Sequence, residues 1–505
     1  GGVTWETVEG APLRLPLTEA DNPARVYDSR REGLLVYLKD LNYDLKGRPV
    51  VLYLTAKGFE SGPRHGLRTW YTLHWTGKEW QRREVTTSDH NYDHGFLAID
   101  SLGHWRMLAD HLPRVAQVMD RVTVVRSVTH PYPLHCVCYS ASGIPDYDVS
   151  LETRPRDVRQ WPFLGSVVGY ARETQGRSGQ GPGVPADMPN NIGLPWLLNS
   201  KSDIVPLAGP YAAFLGQHYD PFWPTYSGVG TRVGPKLADA QVKSVLDPYA
   251  GCAPEGRFVL SDSGSPADAP TPDRLNQRRR LLDQFDDVRR GLDLDSRLGT
   301  YDRHRQKAWS LLTSDRLRGA LDLAREPATV RERYGMTLFG QSCLAARRLV
   351  EAGCPFITVF WDAYEIFAGC AWDTHANHFP RLKEYLLPGM DLAYSALLLD
   401  LEERGLLSET LVLWMSEHGR TPQIDSKPIG AGRHHWSQAY SVALAGGGTA
   451  GGRVVGSTDA HGGQVADTPV SPKDLLATSL HLLGIDPHLT VPGIDRSEEH
   501  TSELQ

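Results

Sequence analysis

The sequence predicts an α/β protein: a mostly parallel sheet with helices on both faces, preceded by a small all-β segment. Three observations predict it. Four apolar runs, RVTVVRSV, PFITVFW, ETLVLWMS and AYSVALAGG, are separated by amphipathic stretches of helical period. The runs are nearly continuous in apolar and β-branched residues, as in strands buried on both faces. Residues 1–103 lack this alternation of strand with helix and read as short aromatic-rich strands between Gly-containing turns.

Each element follows in order. GRPVVLYLTAKG is a strand, RTWYTLHWTGKEWQRREVTT is two strands around a Thr-Gly-Lys turn, and GFLAIDS is a further short strand. Short strands with Trp at intervals form propeller blades or sandwiches. Near Ser101 the pattern changes with no Pro/Gly/Ser linker, where natural boundaries usually carry one. The expectation is a join between two unrelated sequences. LADHLPRVAQVMDRVTVVRSVTH then predicts a helix and a buried strand. SCLAARRLVEAG is a helix stopping at Gly353, and RLKEYLLPGMDLAYSALLLDLEERG a long helix stopping at Gly405. SPKDLLATSLHLLGI opens with Ser471 as N-cap and Pro472 at the first helical position. The Gly/Pro-rich stretch 182–272, with clusters such as YDPFWPTY, reads as a loop packed on the core, or as an insertion shaping a cleft. The last ten residues, RSEEHTSELQ, are polar, follow the domain abruptly and match the conceptual translation of a common sequencing adapter. The expected organisation is therefore a β-rich segment at 1–103, an α/β domain at 104–495 and an adapter-derived tail at 496–505, as in an assembled metagenomic fragment.

Composition excludes several classes. With 40% hydrophobic and 22% charged residues in 505, the chain has the balance of a soluble globular protein of two or more domains. A formal net charge of -7 offers no basic excess to neutralise phosphates, which argues against a general nucleic-acid binder. The tightest basic run, Arg278-Arg279-Arg280, reads as a solvated helix face. No apolar run is long enough to span a bilayer. Six cysteines form no CxxC pair, and Cys136-x-Cys138 has the wrong spacing for a zinc knuckle. They read as buried thiols, with a Cys354–Cys370 disulfide as the alternative. No P-loop lysine motif or GxSxG pattern occurs, so P-loop phosphate cradling and common serine-hydrolase chemistry are not indicated.

The chemistry gathers where strands end. In TLVLWMSEHGRTP an apolar strand stops at Glu417 and His418. WDTHANHF follows PFITVFW and carries Asp373 and His375, with His378 three further on. AGRHHW supplies His434 and His435 just before AYSVALAGG. Ligands collect at the carboxyl ends of strands in open α/β sheets. Mixed Asp, Glu and His donors suit Zn, Mn or Fe, whereas purely carboxylate sets suit Mg or Ca. Nineteen histidines make a single acidic–His pair a weak signal, but two such pairs and the His434-His435 pair fall within residues 373–435. His378 reads as a helix cap, and His461, in STDAHGG, as a turn residue. The cofactor expected is a divalent metal, Zn or Mn before Ca or Mg.

VTVVRSVTH, RRLVEAG, WDTHANHF, LLLDLEERGLLSETLVLWMSEHGRTP, GRHHW and AGGGTAGGRVVGSTD together resemble the sulfatase-like "domain of unknown function 1501" family, over residues 110–496. That family is similar to the alkaline phosphatase superfamily of sulfatases, phosphatases and phosphoglycerate mutases. The resemblance implies an alkaline-phosphatase-like sheet with a metal site at its strand ends. There a Ser, Thr or modified Cys attacks phosphorus or sulfur. It implies Asp373, His375, Glu417, His418 and His435 as metal ligands, with small-molecule or glycan esters as substrates. It favours a periplasmic or extracellular location. His130 and His135, in HPYPLHCVCYSASGIP, fit the family's His-containing loop as ligands or acid–base groups, and Cys136, Ser140 and Ser142 are the nucleophile candidates there. The chain departs from the family in three ways. His418 stands where Phe is common and His434 where Asp is common. The sulfatase pattern of Cys or Ser followed by x-Pro-x-Arg is absent. Upstream, the family's Gly-Gly-Pro-Ser and Asp-rich stretch is replaced by sequence resembling BNR-repeat propellers, carried by DLKGRPVVLYLTAKGFESGPR, RTWYTLHWTGKEW and TTSDHNYDHG. The functional expectation is a metal-dependent sulfate or phosphate ester hydrolase, impaired by a missing first strand. The alternative is a non-catalytic binding or structural protein of the same fold.

Overall fold

The computed structural model describes residues 5–58, 66–88, 94–99, 105–142, 149–178, 185–202, 207–233, 245–260, 314–365, 371–492 and 498–500, less positions 8, 14, 16, 20, 133, 134, 136, 186, 428 and 429. The Arg278–Arg280 run, Cys136, Cys370, the Ser101 seam, residues 89–93 of TTSDHNYDHG and parts of the 182–272 stretch lie outside the described residues. The chain divides into two compact units, Gly1–Ala116 and Gln117–Gln505.

The first unit is all-β. Strands β1 (Leu35–Tyr43), β2 (Pro49–Ala56), β3 (Arg68–Trp75) and β4 (Trp80–Ser88) pair in that order as an antiparallel meander. Alternation sorts its side chains. Val50, Leu52 and Leu54 are fully buried on one face with Trp70, and Tyr53 stacks on Tyr71 on the other. The Thr-Gly-Lys turn forms as expected, with Gly77 at φ +92° and Thr76 N–H donating to Glu79 O over 3.0 Å. GFLAIDS supplies β5 (His94–Ile99), which forms a hairpin with β6 (Trp105–Asp110). The expected helix in LADHLPRVAQVMD is thus mostly absent. Its first residues complete β6, and the rest makes only an α-helical turn at Pro113–Ala116 and a 3-10 turn at Met119–Arg121.

The second unit mixes helices and strands. In chain order its main elements are β7 (Val122–Val128), α1 (Val137–Ser142), α2 (Leu164–Ser178), β8 (Ile192–Leu194), α3 (Leu338–Glu351), β9 (Ile357–Val359), α4 (Leu387–Glu403), β10 (Val412–Trp414), β11 (Gly419–Arg420), β12 (His435–Trp436), β13 (Tyr440–Ala445), β14 (Arg453–Val455) and α5 (Pro472–Leu482). The caps are those the sequence marks. Ser471 and Asp474 form a capping box with Pro472 in the first turn. Thr337 caps α3 through Gly340 N–H, and Gly353 and Gly405 take positive φ after α3 and α4. The long helix foreseen over RLKEYLLPGMDLAYSALLLDLEERG is interrupted. A turn at His378–Arg381 passes through a π turn, Leu382–Leu386, into α4. Pro388 has no N–H for the α-helical bond, so the ladder is broken there.

All four apolar runs form strands, but not one mostly parallel sheet. A four-stranded sheet has the order β10-β13-β7-β14, with the first two pairings antiparallel and the third parallel. β9 pairs in parallel with β8 in a separate two-stranded sheet. Continuous apolar runs report burial on both faces, whereas strand direction is set by the connection. β10 reaches its neighbour β13 without a crossover helix, so the two run antiparallel. Helices cover both faces at β10. Leu411, Leu413 and Met415 join the core with Leu475 of α5, while Trp414, on the opposite face, meets Tyr394 of α4. Cys252, Cys343 and Cys354 are buried free thiols. Burial pushes the Cys354 thiol up to about 12.

Candidate metal centre

The site lies at one edge of the four-stranded sheet, and strand direction explains why. β7 and β10 both run antiparallel to β13, so their carboxyl ends meet the amino end of β13. Tyr440, first in β13, pairs with Val128, last in β7. His130 and His135 follow β7, Glu417 and His418 follow β10, and His435 precedes β13. β11 pairs with β12 and sets Arg420 opposite His435. Asp373 and His375 arrive from the segment well beyond β9. Backbone bonds from Arg433 N to Thr374 O (3.1 Å) and from His378 N to Ala431 O (2.9 Å) lace that segment to residues 430–436.

Four donors converge. Atoms of His135, Asp373, His375 and His435 all lie within 4.8 Å of one another, and a second group of His135, Glu417 and His418 shares His135. Asp373 Oδ1 stands 3.0 Å from His375 Nε2, 3.1 Å from His435 Nε2 and 2.7 Å from Arg420 Nη2. His375 Nε2 and His435 Nε2 are 3.0 Å apart. His135 lies between the carboxylates, Nε2 at 3.2 Å from Asp373 Oδ2 and Nδ1 at 3.4 Å from Glu417 Oε1. Ligand atoms bonded at ~2.0–2.1 Å to a tetrahedral ion stand about 3.3 Å from one another. The observed separations match that value. Hydrogen bonds also have such lengths, but they do not explain His418. Its ring is almost fully buried against the His435 ring, with centroids 4.3 Å apart, and Nδ1 lies 2.9 Å from Gly419 O. Its Nε2 has no hydrogen-bond partner among the described residues, 3.9 Å from Glu417 Oε1. A buried nitrogen left bare beside the Glu417 carboxylate and the His135 and His435 rings fits a divalent cation.

The electrostatics agree. Burial lowers both His375 and His418 to about 4, against the pull of the adjacent carboxylates, so both rings are neutral at pH 7. Burial also opposes the charge on His135, but its bonds to Asp373 and Glu417 prevail and raise it to about 10. Burial resists ionisation of the acids as well. Even so, His135 and His418 bring Glu417 down to about 2, and His135, His435 and Arg420 hold Asp373 far below the usual carboxylate range.

The residues marked from sequence have distinct positions. Asp373, His375, His435, Glu417 and His418 are brought together, with His135 among them. His130 sits behind the cluster: it is buried, its Nε2 donates to Glu417 O (2.7 Å) and its Nδ1 accepts from Tyr132 N (3.2 Å), so it props the Glu417 backbone. Ser140 and Ser142 are buried in α1, Ser142 lining an apolar cleft with Trp161 and Leu164. His378 bonds Thr374 Oγ1 (2.6 Å) at the start of its helical turn. His461 occupies an exposed turn. Arg420, two residues past His418, was not singled out from sequence, although the abrupt strand end before it was the available signal. His434 touches His375 ring to ring, Nδ1 to Nδ1 at 3.0 Å, rather than the central oxygen Asp373 Oδ1.

No curated protein and no solved structure matches the chain. One family does match, over residues 99–504, a span that includes every donor of the cluster; the chain belongs to the family described as Protein of unknown function (DUF1501).

Proposed function

We propose that the chain is a divalent-metal-dependent hydrolase of sulfate or phosphate esters, small-molecule or glycan, related to the sulfatase-like enzymes of the alkaline phosphatase superfamily. The observation that carries this reading is the convergence of His135, Asp373, His375, His435, Glu417 and His418 at one sheet edge. Asp373, His375, His435, Glu417 and His418 are the proposed ligands. Their mix of nitrogen and oxygen favours Zn or Mn. When bound, a divalent ion supplies Lewis-acid stabilisation of charge developing on ester oxygens. The chain's residues do the rest. Arg420 pins Asp373 through its 2.7 Å contact. His135 holds a proton between Asp373 Oδ2 and Glu417 Oε1, within the site, where a leaving alkoxide needs one. His130 fixes the main chain that carries Glu417. The meander β1 to β4, with its short turns, supports reading the first unit as propeller-like sequence of the BNR type.

The test is elemental analysis of the purified chain beside Glu417→Ala, followed by aryl sulfate, aryl phosphate and bis-aryl phosphodiester substrates with Zn, Mn, Ca or Mg. We expect about one or more equivalents of Zn or Mn, lost in the variant, and turnover of one ester class. Folded wild-type chain that takes up no metal would overturn the proposal.

A further inference from the structure

Beside the cluster a chain of two polar contacts leads outward from the proposed ligand His375. Its Nδ1 faces His434 Nδ1 at 3.0 Å, and His434 Nε2 faces Asp425 Oδ2 at 3.0 Å. The contacts are built on fixed main chain. Asp425 and Gly432 exchange backbone bonds of 2.9 and 2.8 Å, and Gly432 packs so closely on the His375 carbonyl that no Cβ fits there. The rings are thereby held in register although His434 and Asp425 are about half exposed.

Proton counting fixes the roles. Two ring nitrogens 3.0 Å apart share one hydrogen, because two N–H groups would collide and two lone pairs would repel. The Asp425 carboxylate takes the N–H of His434 Nε2, so a neutral His434 presents a bare Nδ1. His375 then donates from Nδ1, and its Nε2 is left bare. A neutral His375 with its hydrogen on Nε2 would leave its contact with the bare His434 Nδ1 without a hydrogen.

We propose that His434, anchored by Asp425, is a positioning residue that sets the tautomer of His375, keeping Nε2 unprotonated and aimed at the cation. The inference rests on the reading of His375 as a ligand. Partners of this kind hold a ligand's free N–H elsewhere, and their loss typically costs 10–100-fold in metal affinity.

The experiment uses the full chain with ring-¹⁵N histidine, treated with chelator, with the His375 signals identified through His375→Gln. We expect His375 in wild type to show a protonated Nδ1 and an unprotonated Nε2. In His434→Phe, which removes the acceptor, we expect mixed tautomers and Zn affinity about 10–100-fold weaker by chelator competition. His434→Gln, whose amide oxygen can accept from Nδ1–H, should restore the tautomer and most of the affinity. A wild-type His375 protonated on Nε2, or a His434→Phe chain with unchanged tautomer, would overturn the inference. The tautomer is read without metal, so failure of the chain to bind Zn would count against the hydrolase reading and leave this result decisive by itself.

Discussion

At the scale of single residues, the centre is a set of groups whose protons are arranged by neighbours. Among the lowered histidines, His375 and His418 set an acid limit. A group whose pKa falls from 6.5 unfolded to about 4 folded binds its proton more readily when unfolded. The chelator-treated chain should therefore lose stability as pH drops from 6.5 to 4. For His418, almost wholly buried, the loss is on the order of 3 kcal/mol. His135 acts oppositely. Raised to about 10, it adds stability that is full below 6.5 and disappears as pH climbs through 10. Denaturant titrations across pH should show a maximum near 6.5, and His418→Phe should flatten the acid limb. A variant that keeps the full acid slope would show that His418 is not the buried neutral imidazole described. Much of this cluster was legible residue by residue. Asp373 with His375 and Glu417 with His418 are near neighbours in sequence, so their chemistry is visible without a fold. Arg420 was not legible because it acts through Asp373, from a distant segment, and Asp425 was not because it meets His434, nine residues on, only once β11 and β12 pair.

At the scale of elements, the site depends on two segments, 371–378 and 430–436, sewn together by main-chain bonds rather than by a sheet. Gly432 is the tightest stitch, since a Cβ there would collide with the His375 carbonyl and the Ala376 backbone. Gly432→Ala should push the segments apart and weaken Zn binding at least about tenfold, a loss of ~1.4 kcal/mol. Its far-ultraviolet circular dichroism should stay unchanged, because the displaced backbone belongs to no helix. Wild-type affinity in this variant would mean that the loops are free to shift without moving His375 relative to His435. Helix ends were legible for a reason that also explains what was not. Caps such as Ser471 with Asp474 act within one turn, so the signal lies inside the element. The direction of β13 depends on its connection to β10, and nothing inside YSVALA encodes it. Asp373, His375, Glu417, His418 and His435 are nonetheless brought to one edge, since the amino end of an antiparallel strand lies where a parallel neighbour's carboxyl end would.

At the scale of the whole molecule, every donor of the cluster found among the described residues comes from the unit Gln117–Gln505. The proposed ligands come from three separate segments, Asp373–His375, Glu417–His418 and His435, so an ion held by them ties that unit together only when it is folded. Anything that binds the folded state alone stabilises it by mass action, by about 2.7 kcal/mol at a hundredfold excess over Kd. For a unit of this size the midpoint should rise by a few degrees. The meander of the first unit has its own buried core of Val50, Leu52, Leu54 and Trp70, which owes nothing to the metal. Calorimetry with and without Zn should thus move one transition upward and leave a second, smaller one in place, and Glu417→Ala should abolish the shift. An equal rise of both transitions would mean that the β unit unfolds only together with its neighbour. A rise confined to the smaller one would place the cation outside the His135–His435 cluster altogether.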